Sequence, residues 1–191
     1  MCRLYGTRDR GFSLIPFPDK KYNIIYADPP WSYDDPSKHR GGALRYYQTM
    51  SIKDIAELPI KNITEENAIL FMWTTFPKIF ESKEVINSWG FTYKTNAFTW
   101  VKKNKVSTDT NFWGMGRWTR SNAEVCLLAI KGKPKRVSAG VHSIIEQPVQ
   151  EHSKKPDVVR DKIVELVGDL PRIELFARET AEGWDSWGNE V

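Results

Sequence analysis

Tyr22-Asn23-Ile24-Ile25-Tyr26-Ala27 runs directly into Asp28-Pro29-Pro30-Trp31, and these ten residues decide the fold. The first six are short, β-branched and aromatic, the pattern of a buried strand. That strand has to stop at Asp28, because Pro29 and Pro30 carry no amide donor and cannot extend a central ladder. Downstream, Ser51 stands before Ile52, Ile55 and Ala56 with Asp54 three residues on, which predicts a capped short helix ended near Pro59. Ala68 to Trp73 is a second apolar run. Lys78 to Trp89 has helical spacing and meets a stop at Gly90. Phe91 to Val101 and Ala123 to Ile130 are further strand candidates. Pro156 opens a helix carrying Val158, Val159, Ile163, Leu166 and Val167, closed by Gly168, and Arg172 to Ala177 forms a last strand. Strands alternating with helices predict an α/β fold, a mostly parallel sheet with helices on both faces. Ligands of such sheets sit beyond the carboxyl ends of the strands. The Asp28 loop and the residues after Ala177 are therefore expected on one rim.

The 191 residues are 40% hydrophobic and 27% charged, which suits a single globular domain spanning 1–191. No segment is apolar enough to cross a bilayer, so no membrane contact is expected. Met1 to Arg10 is polar and charged, unlike a secretory leader. Cys2 and Cys126 are the only cysteines, which predicts no disulfide framework and a reducing, cytoplasmic setting. These thiols and the three histidines are scattered, so no metal site is expected. A formal net charge of +4 favours a polyanionic partner. Of the eight tryptophans, several lie beside Pro, Gly, Arg or Lys, although core packing is the plain reading for most.

Asp28-Pro29-Pro30-Trp31 is rich in hydrogen-bond acceptors by construction. Asp28 offers a carboxylate, the Pro29 carbonyl a second acceptor, and the two prolines keep the loop stiff. Such a pair suits an exocyclic amine of a nucleobase, whose lone pair is delocalised into the ring. Acceptors aimed at its two N–H groups stabilise positive charge developing on nitrogen. Trp31 adds a flat face on which an unstacked base could lie. A chance Asp-Pro-Pro turn is the plain alternative, but its place directly after a buried strand favours a site.

With those residues in view, the sequence resembles the adenine-N6 methyltransferases that carry an Asp-Pro-Pro-Trp signature, the family of the seventy-kDa adenine methyltransferase subunit. The likeness extends from Tyr22 to Val191. It includes Tyr47-Gln48-Thr49-Met50, Leu70-Phe71-Met72-Trp73, Trp100-Val101-Lys102, Ala129-Ile130-Lys131-Gly132-Lys133-Pro134, Ser153-Lys154-Lys155-Pro156-Asp157, Glu174-Leu175-Phe176-Ala177-Arg178 and Trp187-Gly188-Asn189-Glu190. The resemblance implies a Rossmann-like methyltransferase fold with permuted motif order. It implies methyl transfer from S-adenosylmethionine to N6 of adenine, with Asp28, Pro29, Pro30 and Trp31 catalytic. DNA is favoured over RNA because short, single-domain members of the family tend to be bacterial or phage DNA enzymes. An RNA adenine methyltransferase, or a silent nucleic-acid-binding subunit, is the alternative; inactive partner subunits lose the signature Asp, and Asp28 is intact.

The permuted order implies that much of the cofactor site lies near the C-terminus, with Arg172 to Ala177 as its strand. No Gly-x-Gly fingerprint follows that strand. Through the resemblance, Lys155 matches the lysine that binds the methionine carboxylate. Its position just before a helix suits an anion on elementary grounds. Arg178 and Asn189 match contacts to ribose or adenosine, Glu190 stands where some members have Gln, Phe176 is expected to pack near the adenosine, and Asp28 also faces the cofactor. Further contacts to the adenine ring are expected near Arg10 to Ser13. On the substrate side, Ser32 to Met50 includes Gly41-Gly42 as a hinge candidate and Tyr47, which matches a gate tyrosine of the family. Lys102 to Asn122 interleaves Lys102, Lys103, Lys105, Arg117 and Arg120 with Phe112, Trp113 and Trp118, the mixture expected for phosphates and unstacked bases. A solvated loop or a subunit interface is the alternative for that stretch. No separate recognition domain is evident, so recognition is local or comes from a second copy (a homodimer) or a partner subunit.

Overall fold

A computed structural model describes residues 15–33, 49–114, 118–151 and 154–191. Strand β1 is Tyr22–Ala27, and five of its six residues are buried. The remaining strands are β2 (Thr64–Thr74), β3 (Thr92–Lys103), β4 (Ala123–Lys131), β5 (Ile144–Pro148), β6 (Arg172–Leu175) and β7 (Asp185–Trp187). They form one seven-stranded sheet in the order β5-β3-β4-β2-β1-β6-β7. β1 lies parallel between β2 and β6. β3 and β5 are also parallel, as are β6 and β7. Among the described strands β4 alone runs antiparallel to its neighbours β2 and β3. Its start, rather than its end, therefore lies at the rim where β1 and β2 finish.

Among the described residues three α-helices cover the sheet: α1 (Ile52–Ala56), α2 (Ile79–Ser88) and α3 (Val158–Val167). The alternation of β1 divides the core between the two faces. Ile25 and Ala27 join Ile55, Val85, Ile86 and Trp89 on one side. Ile24 and Tyr26 join Phe71, Trp73, Phe98, Val159 and Ile163 on the other. The sheet thus has helices on both faces, in the mixed α/β form expected of a Rossmann-like methyltransferase. The two fully buried indoles have their N–H groups satisfied. Trp73 donates to the Tyr26 hydroxyl at 2.7 Å, and Trp89 donates to the Ile55 carbonyl at 2.9 Å.

The helix signals act as the local chemistry requires. The Ser51 hydroxyl accepts from the Asp54 N–H at 3.1 Å. Gly90 and Gly168, past the ends of α2 and α3, have φ of 84° and 92°, which glycine adopts without a Cβ penalty. Three elements differ from expectation. β5 and β7 are additional strands at the two edges. β2 starts four residues early, at Thr64, because Glu65, Glu66 and Asn67 extend the strand beyond its apolar stretch. No helix among the described residues is long and apolar enough to cross a membrane.

Candidate active site

The carboxyl end of β1 opens into a cavity of about 340 Å³. That is the size of a small-molecule site. Asp28, Pro29, Pro30 and Trp31 form one wall, and Lys155, Phe176, Arg178, Asn189 and Glu190 also line it. Residues 127 positions apart in the chain meet here, since the Lys155 ammonium donates to the Asp28 carboxylate at 2.6 Å. Lys102 and Arg120 are not on the cavity wall. Tyr47, Arg117 and the Arg10 to Ser13 stretch lie outside the described residues.

The proline loop is held at each step. The Trp31 N–H donates to the Pro29 carbonyl at 2.8 Å, and the Met50 N–H donates to the Pro30 carbonyl at 2.9 Å. The Pro29 carbonyl keeps a second lone pair. Trp31 departs from the sequence expectation. Its side chain is 4% exposed and its indole donates to the Trp73 carbonyl at 3.1 Å. The ring supports the loop from within the core and contributes to the cavity wall; it is not an open stacking face. The Trp31–Met50 bridge brings the loop against the core, where Trp31 and Met50 share one buried cluster and the Trp73 carbonyl accepts the indole N–H.

Glu124, the second residue of β4, is a site residue that sequence reasoning missed. One oxygen lies 3.3 Å from the Lys155 ammonium and the other 2.5 Å from that of Lys102. A lone acid near the start of the apolar strand Ala123-Glu124-Val125-Cys126-Leu127 was the available signal. Burial pushes the Asp28 carboxyl above the usual range, against the pull of Lys155. Burial also works against charge on Glu124, but Lys155 and Lys102 outweigh it and hold that carboxyl below its usual range. Burial opposes charge on Lys155 as well, and the two carboxylates overcome it, raising its pKa. Lys102 was expected to meet phosphate. It is instead engaged with Glu124, with its side chain only 20% exposed, because β3 and β4 bring the two side chains together across the ladder.

The opposite wall depends on close backbone approach. Phe176 follows β6 with φ 62°, a left-handed conformation rare for a bulky residue. Its ring meets Trp187 edge-on at 5.5 Å, and Trp187 stacks on Phe17 at 4.2 Å. A Cβ on Gly188 would overlap the Ala177 carbonyl oxygen, so only glycine lets the chain after β7 cross there. That crossing delivers Asn189 and Glu190 to the cavity, where Glu190 lies 3.8 Å from Arg178. Behind this wall, Arg160 of α3 grips Glu174 of β6 with two nitrogens at 2.7 and 3.2 Å. This bidentate pair ties α3, and so the Lys155 segment, to the central sheet.

Comparison with known proteins agrees with this architecture. Residues 22–190 match the MT-A70 family model. The type II methyltransferase M.MunI of Mycoplasma sp is 36% identical over 193 residues, which covers 91% of this chain and 79% of that protein. The human N(6)-adenosine-methyltransferase catalytic subunit METTL3 is 27% identical over 174 residues, which covers 90% of this chain and 28% of that protein. The Arabidopsis thaliana N(6)-adenosine-methyltransferase MT-A70-like is 27% identical over 173 residues, 24% of its own length. The chain thus spans about a quarter of these eukaryotic relatives.

Proposed function

This chain belongs to the MT-A70 family, and from that premise we propose that it transfers a methyl group from S-adenosylmethionine to N6 of adenine in DNA. The observation that carries the reading is the Asp28 carboxylate, set by a rigid proline loop and held at 2.6 Å by a buried ammonium inside the cavity. DNA is preferred over RNA because the chain matches most of M.MunI, a type II methyltransferase, but only a quarter of the adenosine methyltransferases.

The donor set fits the cofactor. A carboxylate and an ammonium suit its methionine end, Phe176 suits its adenosine, and Arg178, Asn189 and Glu190 suit its ribose hydroxyls. When bound, S-adenosylmethionine supplies an electrophilic methyl on a sulfonium. The protein's part is then positional and electrostatic. Asp28 and the Pro29 carbonyl accept from the two N–H groups of the target amine, which frees its lone pair. The amine would gain charge as its bond to the methyl forms and the methyl's bond to sulfur breaks, leaving a neutral thioether. Asp28, whose basicity burial raises, is placed to stabilise that charge and to accept the proton the nitrogen then loses. Lys155 keeps the carboxylate aimed. The partner is nucleic acid, and a second copy or a partner subunit contributes to its recognition.

The test is transfer of labelled methyl to single-stranded DNA, duplex DNA and RNA, beside Asp28→Ala. Label on adenine of DNA, absent in the variant, supports the reading. Label on RNA alone moves the substrate to RNA. Binding of both nucleic acid and cofactor without transfer supports a silent platform.

A further inference from the structure

Lys102 belongs to the basic stretch expected to contact phosphate, yet its ammonium points inward. It lies 2.5 Å from one Glu124 oxygen and 5.1 Å over the Trp100 ring. The other Glu124 oxygen is 3.3 Å from the Lys155 ammonium, which is 2.6 Å from Asp28. Four charges of alternating sign therefore run outward from the catalytic carboxylate: Asp28, Lys155, Glu124, Lys102. Lys155 is shared unequally, 2.6 Å from Asp28 and 3.3 Å from Glu124. Lys102 helps maintain that inequality. It neutralises Glu124, so that the ammonium of Lys155 stays with Asp28. Without Lys102, Glu124 is a buried carboxylate with one cation fewer, and it competes harder for Lys155.

The backbone of Lys102 roots the loop above it. Its carbonyl accepts from the Phe112 N–H at 2.9 Å and from Asn122 Nδ2 at 3.1 Å. Its N–H donates to the Asn122 carbonyl at 3.1 Å. This loop carries Trp113 and Trp118, 61% and 99% exposed. One residue thus joins an exposed aromatic loop to the ion chain of the cavity.

We propose that Lys102 is a positioning residue of the methyl-transfer site, acting through Glu124 and Lys155 on Asp28, and not a phosphate contact. The proposal rests on the methyl-transfer reading above. Its test compares Lys102→Met and Lys102→Arg in the full chain. Turnover at saturating substrate, cofactor affinity by calorimetry, and the salt dependence of DNA binding are measured for each. Lys102→Met is expected to lower kcat roughly tenfold or more and to weaken S-adenosylmethionine binding, with the salt slope for DNA unchanged. Lys102→Arg restores kcat, since the cation is retained. Adding Lys102→Met to Glu124→Gln costs little beyond Glu124→Gln alone, because the charge Lys102 offsets is already gone. A salt slope reduced by about one in Lys102→Met, with kcat intact, marks a phosphate contact and overturns the proposal. Equal loss in Lys102→Met and Lys102→Arg, with a lowered melting midpoint in both, marks a merely structural role and also overturns it. If the wild type binds cofactor but methylates none of the polymers, the methyl-transfer reading fails separately. The positioning claim then stands or falls on the calorimetry: unchanged cofactor affinity in Lys102→Met overturns it.

Discussion

The two walls of the cavity are built on opposite principles. The Asp28 wall is stiffened chiefly by its own residues: two prolines, and a Pro29 carbonyl that accepts from the Trp31 N–H two residues on. The Phe176–Glu190 wall has no such local device. It holds Phe176 at φ 62° and needs Gly188 to pass against the Ala177 carbonyl. The first wall is precise because few conformations are open to it. The second is precise only because the rest of the fold over-determines it. Rigidity written locally survives changes elsewhere, whereas rigidity imposed by packing is lost with one contact.

That contrast can be broken at either wall. The largest effect is expected from Asp28→Ala, with turnover down by about 10²–10⁴-fold while much of the cofactor affinity and the melting midpoint remain. Rates with labelled methyl and calorimetry check both. Gly188→Ala acts the other way. Forcing a Cβ against the Ala177 carbonyl is expected to cost about 1–3 kcal/mol of stability and to weaken cofactor binding, read by denaturant unfolding and calorimetry. Phe176 sharpens the comparison. Phe176→Ala loses the ring and keeps the unfavourable φ, while Phe176→Gly loses the ring and relieves it. The glycine variant is therefore expected to be the more stable of the two by about 1 kcal/mol, the reverse of the usual order. Acid pH gives the smallest and most graded effect. Asp28 must be ionised to accept from the amine, and burial raises its pKa. Activity at saturating substrate is expected to fall on acidification at a pH above that of an ordinary aspartate, as a pH–rate profile checks.

The same contrast explains what could be read from the chain. β1, the Ser51 cap and the glycine stops of α2 and α3 depend on neighbouring residues, and each was legible. Of the residues that line the cavity, the Asp28 to Trp31 loop was legible by itself, whereas Lys155, Phe176, Arg178, Asn189 and Glu190 were named only through the resemblance and Glu124 was missed. β5 and β7 were not legible, because edge strands of five and three residues bury too little to show a pattern. The antiparallel course of β4 leaves no mark on its own alternation. Trp31 was read as open because its neighbours are polar or proline, yet its burial comes from distant Met50 and Trp73. Lys102 was read as a phosphate contact because its partner, Glu124, is 22 residues away.

Asp28→Asn tests the central claim most directly, because it keeps the side-chain shape and removes only the charge. Single-turnover methyl transfer to DNA, with the product nucleoside identified by mass spectrometry, is the measurement. N6-methyladenine from the wild type, with the rate lost in Asp28→Asn and cofactor still bound, is the predicted result. A rate near that of the wild type in Asp28→Asn would contradict the role given to the carboxylate.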